Sequence, residues 1–474
     1  MLLTGSASLR ALANRNYRRI WLGSLVSNIG TWMETVALGF YVAETTGKAA
    51  WTGSMILFAQ LPVLLMSPLG GALADRFERR RYVFAVTLFQ LAVAATLAAL
   101  AYVGRLDLWA ASILAFLTGS GKALSDPAFS ALTADAVSDD ELFSARALSS
   151  AQFNLGRVVG SGLAAVALGI GGPTCAFAGN ALSFAAVLVA VSSIDLVPGK
   201  LVPERLMASI RAGVRLSRDD RGIRQLLALG FGTALLISPF ISLAPAYAVQ
   251  VFHVGASAGA LLPVAQGVGS LLSALCVGEL FERWGAPGLI RRAALAMGVI
   301  ALAYWLSFWY PLALALMFWM GAGNVALLTP VRTACLARAP RDQQARVASI
   351  FNWVFSAGYA LGSIGLGALG DRVGLRWAAG AAAATFLAIV SAGRRRGTIR
   401  RRARVVTGVA RAPDLLRDAR HLPAQRRRTR PSTREDTGDP SCPVERTAAP
   451  RRGSRHLAAA DGATGTRAEP RTTR

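Results

Sequence analysis

The sequence predicts an all-α membrane protein with twelve transmembrane helices in two pseudo-symmetric six-helix bundles. Three observations predict it. The chain is 53% hydrophobic and only 16% charged, with its charges in short clusters between uncharged runs, which is membrane composition. Runs of mainly apolar residues, each about the 20 residues that cross a bilayer, recur through the first 393 positions. A single long interior gap, residues 195–225, divides those runs six and six.

The expected spans in the first half are Ile20–Val42, Trp51–Ala74, Val83–Val103, Leu108–Phe129, Ala147–Ile170 and Thr174–Ile194. In the second half they are Leu226–Val249, Ala256–Val277, Leu289–Trp309, Pro311–Val331, Val347–Leu369 and Leu375–Val390. This divides the chain into a cytoplasmic N-terminus (1–19), an N-terminal bundle (20–194), a linker (195–225), a C-terminal bundle (226–393) and a basic tail (394–474). The first run is too long for the apolar core of a signal peptide and lacks a small-residue cleavage site, so the N-terminus is expected to be retained.

Positive charge orients the spans, because cytoplasmic loops keep Lys and Arg. With the N-terminus inside, only Lys48, Arg105, Arg372 and Arg376 fall on outer flanks, and Lys122 and Arg157 fall within spans. An even number of spans places both termini in the cytoplasm, and the expected location is the plasma (inner) membrane.

The net charge of +25 invites a nucleic-acid reading, but residues 394–474 hold 22 Arg against 8 acidic residues and so supply +14 of it. The remainder is mostly positive-inside flank, and no nucleic-acid partner is expected. The tail is poor in large apolar residues, which predicts disorder. Its "GRRRGTIRRRAR" start suits anionic headgroups.

Four cysteines, Cys175, Cys276, Cys335 and Cys442, show no CxxC pairing, and the three histidines have no metal-ligand spacing. No metal, cofactor or enzymatic activity is expected. "GLGALG", Gly365 to Gly370, matches a dinucleotide pattern by letter but lies inside a span instead of joining a strand to a helix. "GSGKA" around Lys122 lacks the first P-loop glycine and the hydroxyl residue.

The two halves repeat. "ALSDPAFSALTADAVSDDELFSARALSS" from Ala123 is echoed by "ALLTPVRTACLARAPRDQQARVASI" from Ala326, about 200 residues later, with a shared Ala-Leu-x-x-Pro start and a later Ala-Arg-x-x-Ser. The gap between them carries Leu206, Ile210, Val214 and Leu216 near helical spacing among arginines, which predicts a basic amphipathic connecting helix.

Gly71-Ala-Leu-Ala-Asp75-Arg76-Phe-Glu78-Arg79-Arg80-Arg81 resembles the G-x-x-x-D-R-x-G-R-R signature between the second and third helices of major facilitator superfamily transporters. Glu78 stands where glycine is usual, as in the enterobactin-exporter-like branch, which holds siderophore and multidrug exporters. "GELFERWG", Gly278 to Gly285, is a degenerate copy in the second half. The resemblance covers nearly all of residues 14–393. It implies a secondary active transporter without cofactor, expected as a monomer, exporting small amphipathic compounds in exchange for protons by alternating access. The alternatives are a metabolite or lipid carrier of the same fold working as an importer or facilitator, and a non-transporting membrane receptor or scaffold acting through its basic tail.

In that family the signature loop is a conformational latch. The corresponding residues here are Gly71, Asp75, Arg76, Arg79 and Arg80, with Asp126 as the expected partner of Arg76. The fifth span, "NLGRVVGSGLAA", is similar to the antiporter motif but has Ser161 in place of proline, and the fourth lacks the arginine of many proton antiporters.

Charge within a bilayer is costly and so faces a cavity or a partner. Glu34, about 14 residues and roughly 21 Å into the first span, is the foremost candidate for exchanging protons with a cationic substrate, with Asp126 second. Arg157 suits an anionic group or a salt-bridged gate with Glu34. Asn28, Gln60, Asn154, Asn180, Gln266, Asn324 and Asn352 are the amide candidates for a substrate cavity. Trp32, Phe58, Trp305, Trp319 and Trp353 are aromatic candidates for its wall.

Overall fold

The computed structural model describes residues 7–74, 76–138, 141–194, 215–340 and 343–395. The signature's Asp75, most of the expected connecting helix and all but the first residues of the expected tail lie outside them.

Helices account for every regular element among the described residues. A 3₁₀ segment, Ala7–Ala13, leads into α1 (Arg15–Thr46), and α2 (Ala49–Ala74), α3 (Arg79–Tyr102), α4 (Leu108–Asp135) and α5 (Leu142–Ser192) complete the first half. The second half holds α6 (Arg221–Leu236), α7 (Pro239–Ser242), α8 (Ala244–Gln250), α9 (Ala256–Gly259), α10 (Leu261–Leu306), α11 (Tyr310–Ala337), α12 (Gln344–Val373) and α13 (Leu375–Arg395). Starts and stops follow from local chemistry. The Asn14 side chain accepts from the amides of Asn16 and Tyr17 to begin α1, and Gly47 ends it at φ 61°. Asp107 and Asp220 cap α4 and α6.

Eight helices among the described residues are long and apolar enough to cross a membrane, where the sequence predicts twelve spans. The difference has two physical causes. α5 and α10 each fuse two expected spans into one hydrogen-bonded run, broken at Gly172 (φ 65°, ψ −162°) and Gly285 (φ 64°, ψ 163°), a conformation that only glycine adopts at low cost. α1 and α4 do not reach the same apolarity, since Glu34 interrupts one, and Lys122 and Asp126 the other. The expected seventh span is likewise divided into α6, α7 and α8, with Pro239 and Pro245 at the starts of the short pieces.

In the first half α1 packs on α5, α2 on α4, and α3 on both α4 and α5; in the second, α10 packs on α11 and α13, and α6 on α12. The halves meet through α2 against α12 and α5 against α10. Beside the divided helix, the buried hydroxyl of Tyr247 lies 3.2, 2.7 and 2.9 Å from the carbonyl oxygens of Tyr304, Trp305 and Ser307 and donates its one proton among them, pinning α8 to the end of α10.

Candidate functional site

α1 presents two working faces, set by helical periodicity. Gly30 and Glu34, four residues apart, share one; Asn28 and Trp32 share the other. At Gly30 a side chain would strike Ser183 and Asn180 of α5, so glycine lets α1 lie directly on the 173–192 limb. That approach brings Glu34 under Asn180. The carboxylate is 4% exposed and Asn180 0%.

Glu34 accepts from neutral donors. Asn180 Nδ2 donates to Oε2 at 2.5 Å, and Thr118 Oγ1 of α4 reaches Oε1 at 3.5 Å. Ser183 Oγ lies 2.7 Å from the Asn180 backbone carbonyl and 3.1 Å from Asn180 Oδ1, so its one O–H donates to either; the carboxylate, which only accepts, turns the amide nitrogen toward Glu34. Among the described residues no ion pair involves Glu34. A buried carboxylate held only by neutral groups is suited to taking up a proton or a cationic ligand.

The second face of α1 meets the 142–171 limb of α5. Gly156 lies against Asn28, and Gly160 against Ile29 and Trp32. Arg157, 7% exposed, donates to Asn154 Oδ1 at 3.1 Å and sits 5.8 Å from the Trp32 ring. Its Nε is buried without a partner. Of its two expected roles, the pairing with Glu34 is not made, because positions 32 and 34 point to different sides of α1 and carry the two charges apart.

The remaining amides do not converge on Glu34. Gln266 donates to Ser270 at 3.1 Å, and Ser270 to the Gly321 carbonyl of α11 at 3.0 Å. Asn324, one turn along α11, has a buried Oδ1 without a partner. Gln60 is half-buried on α2, and Asn352 exposed on α12. Among the aromatics, Trp353 Nε1 donates across the halves to Leu64 of α2 at 2.8 Å, while Trp305 is core.

The expected pairing of Arg76 with Asp126 is corrected. Asp126 pairs with Lys122 at 3.2 Å, one turn back on its own helix and about half exposed, and Arg76 is exposed with no ion pair among the described residues. Arg79 takes the linking role through Asp135, the last residue of α4. Arg80 donates to the Val191 carbonyl at 3.1 Å and to that of Ser192, at the end of α5. Arg81 turns back to Glu78 at 2.7 Å. Thr118, Ser183 and Asp135 carried no sequence signal beyond being polar residues near span ends or middles.

A family model described as transmembrane secretion effector matches residues 6–404. The chain belongs to that family. It is similar to macrolide efflux protein A of Streptococcus pyogenes, with 24% identity over 75% of this chain and 89% of the relative. It is also similar to the multidrug efflux pump Tap of Mycolicibacterium fortuitum, with 26% identity over 78% and 91%. Among solved structures, a bacterial homologue of the human lysosomal transporter Spinster, inward-facing and unoccupied, superposes with a TM-score of 0.67 at 15% identity, over 80% of this chain and 96% of that one. A bacterial homologue of the iron transporter ferroportin, inward-facing, gives 0.63 at 15% identity, over 79% and 98%. The chain therefore has the major facilitator transporter fold and is a multi-pass membrane protein.

Proposed function

We propose that this protein is a proton-coupled exporter of small amphipathic compounds, drugs or siderophore-like molecules, working by alternating access in the plasma membrane. Twelve passes follow when the two glycine-broken helices count as two each. α5 and α10, at 51 and 46 residues, run to roughly 77 and 69 Å, against about 30 Å of hydrocarbon. α1 and α4 complete the number, as polar helices lining the interior of their bundle. The distribution of Lys and Arg puts both termini in the cytoplasm and the Gly47 face outside. The names of the efflux relatives support export.

The observation that carries the coupling reading is Glu34, buried and held by Asn180 and Thr118 with no cation beside it. Deprotonated, it attracts a cationic amphipath; protonated, it releases one. Gly30 and Ser183, which flank the Glu34–Asn180 contact, also line an open apolar groove of about 310 Å³ between α1 and both limbs of α5, together with Ile29, Met33, Leu163 and Leu182. It offers the apolar part of such a substrate a surface one helical turn along α1 from Glu34.

The test is transport in proteoliposomes with a macrolide and a cationic dye. Glu34→Gln is expected to abolish pH-gradient-driven export while leaving downhill exchange in place. Gradient-driven export that survives the substitution rules out Glu34 as the coupling group.

A further inference from the structure

The signature at the end of α2 has a second copy, and it lies at the end of α12. Gly71-Ala-Leu-Ala-Asp75-Arg76 and Gly367-Ala-Leu-Gly-Asp371-Arg372 agree at five of six positions. Gly374 then restores the glycine that Glu78 replaces in the first copy. The "GLGALG" run that imitates a dinucleotide loop is the approach to this second signature.

α2 and α12 pack antiparallel across the interface between the halves. A side chain at Gly53 would strike the Ser363 carbonyl, and one at Gly367 the Ala49 carbonyl. These glycines let the two backbones touch, and Trp353 bonds Leu64 farther along the same pair. The contact delivers Asp371 to the start of α2, where Oδ1 accepts from Ala49 N at 2.7 Å and Oδ2 from Ala50 N at 3.0 Å. The residue ahead of α2 is Lys48, whose side chain has no acceptor. α2 therefore has no local cap, and its orphan amides and positive dipole end are satisfied from the other half of the molecule. Two more links cross on the same face: Gln250 Nε2 donates to the Gly47 carbonyl at 2.8 Å, and Glu44 accepts from Ala256 N at 3.0 Å.

We infer that Asp371 is a gating residue, the latch that closes the Gly47 face by capping α2 from the opposite half. The register pairs position 49 with 367, 53 with 363 and 64 with 353. Continued, it carries the end of α2 to the first turn of α12 at the opposite face. Only the opening of the Gly47 face during a transport cycle rests on the transport reading; the latch itself is tested by conformation alone.

The experiment uses the full chain with its four cysteines replaced by serine and spin labels at Thr45→Cys and His253→Cys, both exposed and on opposite halves of the Gly47 face. Distances are read by pulsed electron resonance without substrate or gradient. Asp371→Ala is expected to raise the wide-to-narrow ratio roughly tenfold, the change produced by losing a cap of about 1.4 kcal/mol. Asp371→Asn keeps an acceptor and shifts it less. Lys48→Asp is the surface control that cannot be confused with misfolding: a local cap competes for the same amides and widens the distribution as well. An unchanged distribution in Lys48→Asp, or in Asp371→Ala at an unchanged melting temperature, overturns the inference. Because no transport is measured, failure of the Glu34 test leaves this result standing, and the reverse holds too.

Discussion

Asn180 Nδ2 lies 2.5 Å from Oε2 of Glu34, joining α1 to the far limb of α5 through a buried, uncharged donor. Removing a donor from a buried acceptor costs its desolvation, about 1–3 kcal/mol. Asn180→Leu is expected to lower unfolding stability in detergent by that amount. In the Glu34→Gln background the same substitution should cost measurably less, because the two residues act as a pair. Strictly additive costs in this double-mutant cycle would show that the hydrogen bond carries no coupling.

Arg79 and Asp135 tie the start of α3 to the end of α4, each about one-fifth exposed. Arg79→Ala leaves Asp135 without its cation and is expected to cost roughly 1–2 kcal/mol, between the ranges for exposed and buried pairs. Arg76→Ala, at an exposed position, should stay within about 0.5 kcal/mol. Chemical unfolding of the two variants side by side decides between them, and the reversed pair Arg79→Asp with Asp135→Arg should recover part of the loss.

The signature arginines show where the sequence stops being legible. Successive helical residues turn by about 100°, so Arg79, Arg80 and Arg81 point in three directions: to Asp135, to the carbonyls at the end of α5, and back to Glu78. Their letters are identical, and only the phase of α3, fixed by packing on α4 and α5, assigns the roles. The same holds for Glu34 and Arg157. Burial of both was readable from charge within apolar runs, yet whether they meet depends on two positions of helix phase. The spans themselves were legible because apolar length is a local property. Gly172 and Gly285 fall in the gaps between expected spans, 171–173 and 278–288, but which residue breaks the helix there was not legible, since nothing in a glycine's letter gives its φ. The Asp371 copy is hidden by position, because it stands at the end of the helix that packs against α2 and not in the loop equivalent by chain order.

Arg157 offers a test of what a buried charge contributes. Its guanidinium has one amide partner and one aromatic neighbour, with Nε unsatisfied. Replacing a buried ion with an apolar chain of similar length is often neutral or stabilising. Arg157→Met is therefore expected to unfold at or above the parent's melting temperature. Arg157→Ala also removes the stem packed near Trp32 and should cost roughly 2–4 kcal/mol through the void it leaves. A Met variant as unstable as the Ala variant would reveal a polar bond that the stem alone does not supply.

Asp220 links protonation to the second half. It caps α6 through the amide of Ile223 at 2.7 Å and takes both Arg338 Nε at 3.0 Å and Nη2 at 3.3 Å from the end of α11. Partial burial alone would raise its pKa, but the Arg338 hydrogen bond, the Ile223 amide and the Arg338 charge outweigh it and hold the carboxyl below its ordinary value. A carboxyl depressed in the folded state stabilises above its unfolded pKa, near 3.9, and that contribution disappears as pH falls through the folded value. The parent should therefore lose stability on acidification below about pH 4 more steeply than Asp220→Asn, whose amide keeps the cap but does not titrate. At pH 7, Asp220→Ala should cost about 1–2 kcal/mol, a lost cap plus a pair about one-third exposed. Melting curves of the three proteins from pH 7 to pH 3 check both parts, and parallel acid limbs for parent and Asn variant would remove Asp220 from the linkage.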